Sequence, residues 1–326
     1  MMDASFLALE ELKKQYQARS GLGEKKRFIK AVDGVSFAVQ RDKVFALVGE
    51  SGCGKSTVSR MILKLIDPTG GRVLFKGEDV AALKGERLRA FRRSVQIVFQ
   101  DPFASLNPRM RVLDTLGEPF IIHNLVPKKQ IRDSVVALLE KVGLGPETLM
   151  KYPHEFSGGQ RQRICIARAL TVSPELIVAD EPLSALDVSI QAQILNLFQQ
   201  IRRDSGIALV FISHDLNVVQ YLSDEVGVMY LGRIVEMAKT EELFSAPRHP
   251  YTELLLSSVP KIRTDRSVEQ SAPVIVTDTQ ADVPGPADVP AGCPFHPRCP
   301  KRFEPCNKAV PALKESGGRQ ISCHLY

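Results

Sequence analysis

With 326 residues, 44% hydrophobic and 25% charged, the chain can bury a sizeable core, and its length suggests two domains or one large domain with an appendage. No apolar run reaches the roughly 18–20 residues needed to span a bilayer. The N-terminus "MMDASFLALEELKKQYQARS" lacks the basic-then-apolar order of a secretory signal, so the chain is expected in the cytosol. A net charge of +6 is too modest to choose between an anionic membrane surface and nucleic acid.

Taken in chain order, a first strand ends at Tyr16 and a Gly/Lys-rich loop follows it. "FIKAVDGVSFAV" and "RDKVFALVG" read as strand, turn, strand, and Val44 to Val48 is a continuous apolar run of the kind covered on both faces. A glycine-rich turn leads into a helix over Ser56–Leu65, then "GGRVLFKGEDV" reads as a strand closed by Gly77 and "SVQIVFQ" as another. Helical spacing from about Pro102 to Tyr152 marks a helical insertion. Alternation then resumes with strand "PELIVADEP", a helix from Val188, and strands "IALVFISHD" and "EVGVMYLGRIVE". The order is that of a mostly parallel sheet with helices on both faces. After about Pro260 the pattern dissolves into a Pro-, Asp- and Ser-rich linker, and no repeat of the whole unit is present.

Three motifs carry chemistry. "GESGCGKST" places Gly49, Ser51, Gly52, Cys53, Gly54, Lys55, Ser56 and Thr57 between a buried strand and a helix, as a P-loop requires. Its glycines let successive N–H groups face phosphate oxygens, with Lys55 for the β- and γ-phosphates and Ser56 for Mg²⁺. Cys53 reads as a small side chain in that loop before it reads as a redox switch. "ELIVADEP" ends an apolar strand in two acids; Asp180 suits the Mg²⁺ shell and Glu181 the polarisation of an attacking water. "FSGGQRQR" opens a second helix with Ser157, Gly158, Gly159 and Gln160, a second anion-binding end that a single ATP does not need.

Together these residues resemble the ATP-binding subunit of an ABC transporter, over about residues 5–260. Gly49–Thr57 is similar to the Walker A loop, Gln100 to the Q-loop glutamine and Ser157–Gln160 to the signature motif. Asp180 and Glu181 match Walker B and the catalytic glutamate, Asp187 in "SALD" the D-loop, and His214 the switch histidine. The resemblance implies an α/β fold: a RecA-like P-loop core, an N-terminal antiparallel β subdomain, a helical subdomain at about 102–155, and a small Cys-rich extension over 261–326. It implies Glu181, His214 and Gln100 in catalysis, Gln100 beside Ser56 and Asp180 at Mg²⁺, and Tyr16 (or Phe28) stacking on adenine. It also implies head-to-tail ATPase dimers with two ATP molecules between them.

"HPYTELLLSSVP" and the cysteine-bearing tail resemble one branch, the ATPases of dipeptide, oligopeptide and nickel importers, the peptide "F" type best. The partners so implied are a second ATPase subunit (copy or paralogue), two transmembrane permease subunits and an extracytoplasmic peptide-binding protein. No nucleic acid is expected, and the subunit would sit peripherally on the cytoplasmic face of the membrane. A non-transport ABC ATPase and a simple P-loop kinase are the competing classes. The tail spaces Cys293, Cys299, Cys306 and Cys323 as C-x5-C-x6-C-x16-C, without the tight pairs of structural zinc. A reducing cytosol disfavours a disulfide. Relatives in the branch carry a [4Fe–4S] cluster in this tail, which these spacings suit; zinc is the alternative, with His296 and His324 as substitute ligands.

Overall fold

The computed structural model describes residues 5–17, 28–258, 285 and 288–326, so most of the linker expected after Pro260 lies outside the described residues. Strands β1 (Leu7–Gln17) and β2 (Phe28–Val39) pair antiparallel, and β3 (Val44–Val48) follows. Helix α1 (Lys55–Ile62), β4 (Gly70–Phe75), the two-residue β5 (Glu78–Asp79) and α2 (Gly85–Ser94) lead to β6 (Val95–Val98). The expected insertion holds α3 (Pro102–Ser105), α4 (Val112–Ile122) and α5 (Ile131–Lys141), and α6 (Gly158–Leu170) returns the chain to the sheet. Alternation resumes with β7 (Leu176–Asp180), α7 (Val188–Ser205), β8 (Ala208–Ser213), α8 (Leu216–Leu222), β9 (Glu225–Tyr230) and β10 (Arg233–Lys239). Helices α9 (Thr240–Ser245) and α10 (Pro250–Ser257) precede a tail hairpin of β11 (Lys314–Ser316) and β12 (Arg319–Ile321).

A four-stranded antiparallel sheet runs β2-β1-β4-β5, and an eight-stranded sheet runs β11-β12-β10-β9-β3-β8-β7-β6. The five strands from β9 to β6 are parallel, and β10, β12 and β11 extend them antiparallel. One expectation needs correction. "EVGVMYLGRIVE" is not one strand but the β9–β10 hairpin, because Leu231 (φ 41°) and Gly232 (φ 82°) both take the left-handed conformation of a tight hairpin turn. The strand in "GGRVLFKGEDV" closes, as expected, at Gly77 (φ 80°), which with Lys76 (φ 52°) turns β4 into the short β5.

Alternation along the central strands sorts their side chains into three cores. Phe45 and Leu47 of β3, Val178 of β7 and Val210 of β8 face the antiparallel sheet, where Phe37 stacks on Phe45 at 4.2 Å. Ile177, Ala179, Leu209 and Phe211 face the helices instead. Ala46 and Val48 face a third cluster that contains Tyr230, Tyr251 and the tail residues Cys293, Phe295 and Cys306. Burial on both faces is why these strands read as unbroken apolar runs.

Tail and sheet are joined through Glu236, which is fully buried on β10 opposite Ile321. Its carboxylate accepts the backbone N–H of Arg248 (3.0 Å) and His249 (2.9 Å), and Arg319 of β12 approaches it to 3.5 Å. Glu236→Ala would take one of two carboxylates from the buried Arg319 guanidinium and leave two N–H groups unpaired, so it should cost about 3 kcal/mol, read as a fall in the urea unfolding free energy. His249, 1% exposed, accepts the Tyr251 N–H at Nδ1, and burial pushes its pKa down from 6.5 to about 4. The neutral ring's contribution is therefore complete above pH 6.5 and is lost as pH falls toward about 4. A His249→Gln variant should lose less stability across that window in a pH series of thermal melts.

Candidate active site

Strand β3 ends at Gly49 with φ 152°, where a Cβ would sit 2.1 Å from the Met229 carbonyl oxygen, so only glycine lets the chain turn off the sheet. The loop that follows folds around its own lysine. Lys55, 4% exposed, donates from Nζ to the carbonyls of Gly49 (2.7 Å) and Glu50 (3.0 Å). Gly54 caps α1, and the first-turn N–H groups of Lys55 and Ser56 have no carbonyl four residues back to bond. Such an end attracts anions. Cys53 is buried behind the loop 3.8 Å from Lys55 Nζ, and burial raises its pKa, so it stays a thiol, in keeping with its reading as a small side chain. Ser51 and Gly52 are exposed, and Thr57 donates its N–H to Gly54 O at 3.0 Å.

The adjacent acids at the end of β7 diverge. Asp180, 8% exposed, accepts Ser56 Oγ at 3.1 Å on Oδ1 and Ser59 Oγ at 3.0 Å on Oδ2. Burial raises its pKa, opposed by those two hydroxyls and by the more distant charge of Arg60, which leaves a desolvated carboxylate beside the Ser56 hydroxyl. Glu181 stands in the left-handed region at φ 47° while its N–H bonds Ile212 O at 3.0 Å. A non-glycine residue there is strained, and such strain gathers at working sites. The twist aims its carboxylate away from Asp180's partners. Oε2 receives Gln100 Nε2 at 3.2 Å and lies 3.3 Å from His214 Nδ1. The expected catalytic trio is thus gathered around the Glu181 carboxylate, with Gln100 hydrogen-bonded to it and His214 Nδ1 beside it. Gln100, expected also at Mg²⁺, is bonded to Glu181 and not to Ser56 or Asp180.

Ser157 caps α6 in a reciprocal box: its Oγ accepts Gln160 N–H (3.3 Å) and Gln160 Oε1 accepts Ser157 N–H (3.1 Å). At Gly159 a Cβ would meet Ile190 Cγ2 at 2.5 Å, so glycine here lets α6 approach the start of α7, which Asp187 caps. Ser157, Gly158 and Gln160 are exposed, and none of their hydrogen bonds reaches the Gly49–Thr57 loop. Tyr16 pairs with Ile29 and Gln17 with Phe28, so Tyr16 and Phe28 lie on opposite faces of the β1–β2 ribbon. Both rings are exposed.

In the tail, Cys293, Cys299, Cys306 and Cys323 are all free and line one small cavity together with His296 and His324. Burial pushes the Cys293 thiol up to about 11, and the three other sulfurs add to the shift. Among the described residues no three His, Cys, Asp or Glu side chains close into metal-ligand geometry. As a donor set, four free cysteines around one cavity nonetheless fit a thiophilic cation or cluster.

Two participants are not anticipated from the sequence. Ser59 lies three residues after Ser56, hence on the same helix face, and that spacing was the available signal. Tyr251 of "HPYTELLL", fully buried, accepts the Glu50 N–H on its hydroxyl at 3.0 Å; nothing local announces a contact 201 residues away.

The sequence profile of the ABC transporter family matches residues 32–184, and that of the oligopeptide/dipeptide transporter C-terminal region matches residues 235–306. The oligopeptide transport ATP-binding protein AppF of Bacillus subtilis is 49% identical over 99% of this chain and 98% of its own length. The dipeptide transport ATP-binding protein DppF of Escherichia coli is 45% identical over 96% and 92%. Among solved structures, cbiO1 from Clostridium perfringens superposes with a TM-score of 0.64 at 28% identity, covering 75% of this chain and 92% of that one. A dimeric ATP-binding cassette in a post-hydrolysis state with ADP and Pi gives 0.63 at 28% identity, covering 72% and 98%. With Ser56–Asp180 and Gln100–Glu181–His214 assembled at the strand ends and this similarity along nearly its whole length, the chain belongs to the ATP-binding proteins of the ABC transporter family.

Proposed function

We propose that this chain is the ATP-hydrolysing subunit of a membrane importer of di- or oligopeptides. The observation that carries the hydrolytic half is the Gln100–Glu181–His214 group beside the Gly49–Thr57 loop. The loop's N–H groups and Lys55 hold the phosphates, while Ser56 and Asp180 hold Mg²⁺, which offsets charge on the triphosphate. Glu181 orients and polarises the attacking water, and His214 contacts the γ-phosphate. Most of the rate then comes from positioning and charge compensation. The peptide cargo is supported by the C-terminal region match and by relatives named for oligopeptide and dipeptide transport.

The exposed Ser157–Gln160 end serves an ATP held by a second ATPase subunit, a copy or a paralogue, and Asp187 lies at the same dimer interface. No helix among the described residues is long and apolar enough to cross a membrane. As the ATPase of such an importer, the chain works peripherally, on the cytoplasmic face, against two permease subunits supplied by an extracytoplasmic peptide-binding protein. One of Tyr16 and Phe28 stacks on adenine. In the tail, Cys293, Cys299, Cys306 and Cys323 hold a [4Fe–4S] cluster, which when bound cross-links a segment with little core of its own.

Glu181→Gln should keep ATP binding while lowering turnover by at least about a hundredfold. A variant that hydrolyses at the normal rate would remove Glu181 from catalysis. Anaerobically purified protein should be brown and contain iron and sulfide, both lost on replacing Cys299 and Cys306 with serine; colourless, zinc-loaded protein would overturn the cluster assignment.

A further inference from the structure

One tail residue reaches the phosphate loop. Arg298, next to Cys299, donates from Nη1 to Glu50 Oε2 at 2.9 Å and from Nη2 to Glu50 Oε1 at 3.0 Å. This is the paired fork that arginine forms with carboxylates and lysine cannot. Glu50 is the second residue of the Gly49–Thr57 loop, and its backbone is already committed, with N–H on Tyr251 and carbonyl on Lys55 Nζ. Only its side chain is left to be steered. The Arg298 side chain is 13% exposed and lies over the rings of Tyr230 (5.9 Å) and Phe295 (5.8 Å). Its own N–H bonds Phe295 O at 3.0 Å, and Phe295, 1% exposed, packs edge-on to Tyr230 at 5.4 Å. The tail segment Cys293–Cys299 thus presents one guanidinium to the loop from a packed support.

Without that guanidinium, a carboxylate would stand free on a loop built to gather N–H groups around polyanions. In a half-buried setting such a charge is poorly screened and repels an incoming phosphate. We propose that Arg298 is a positioning residue for the nucleotide: it holds and neutralises Glu50, so that the phosphate loop binds the nucleotide more tightly while the tail is seated. The proposal rests on reading Gly49–Thr57 as the ATP site. It makes the tail a determinant of ATP affinity, not only an appendage that packs behind the sheet.

The test measures ATP·Mg²⁺ binding by calorimetry, and steady-state hydrolysis, on the full-length chain. Arg298→Ala should raise Kd and KM for ATP about tenfold with kcat changed far less, since it removes one partner of a half-buried charge pair. The loss should shrink at high salt, as a charge effect does. Arg298→Lys should recover part of the affinity, and Arg298→Ala combined with Glu50→Gln should recover most of it. Limited proteolysis and thermal melts report whether the tail stays docked. If Arg298→Ala does not fold, Arg298→Lys and the double variant carry the comparison with the wild type. A salt-independent loss, or one that Glu50→Gln does not relieve, means that Arg298 only docks the tail, and it overturns the proposal. Unchanged affinity in Arg298→Ala beside a wild type that binds ATP overturns it while leaving the nucleotide reading intact. A wild type that binds no ATP sinks both.

Discussion

A strand covered on both faces has side chains free for chemistry only where it ends, and this constraint organises the molecule. β3, β7 and β8 are buried throughout, shared between the antiparallel sheet on one side and helices or tail on the other. Because they run parallel, their carboxyl ends lie along one edge. Gly49–Thr57 follows β3, Asp180 ends β7 and Glu181 follows it, His214 follows β8 and Gln100 follows β6. Open α/β sheets place ligands outside these ends for the same reason. No long-range folding of a loop is needed to bring the four groups together; strand order does it.

Within that row, local backbone geometry separates two jobs. Asp180 keeps regular strand geometry and turns inward to two helix hydroxyls. Glu181, one residue later, is forced into the left-handed region and turns out to Gln100 and His214. The cost of that conformation, of order 1–3 kcal/mol, is borne by the parallel ladder on either side, which fixes the Glu181 N–H on Ile212 O. Two adjacent carboxylates thereby sit in different surroundings, one on helix hydroxyls and one against Gln100 and His214.

Much of this was legible in the residues. The unbroken apolar runs gave the central strands, and the glycine and acid motifs at their ends gave the groups now seen in contact. What the sequence concealed falls into two kinds. A turn was missed where a non-glycine residue adopts positive φ, at Leu231, because that residue type does not signal it. Contacts between distant segments were missed because their partners are locally ordinary: Tyr251 reads as an aromatic on a helix, and Arg298 as one basic residue among many. The tail was read as a cysteine cluster after a linker, whereas its last residues form β11 and β12 and extend the main sheet. Strands of three residues carry too little pattern to be seen against a proline-rich background.

The β10–β12 pairing has one more effect. Left alone, β10 would expose a seven-residue row of unpaired N–H and C=O groups at the margin of the sheet, a template for pairing with other chains. β12 covers its middle at Glu236 and Met237, and the new margin is β11, three residues long and closed by the Gly317–Gly318 turn. The tail hairpin is therefore a blunt end-stop that helps keep the sheet from growing between molecules.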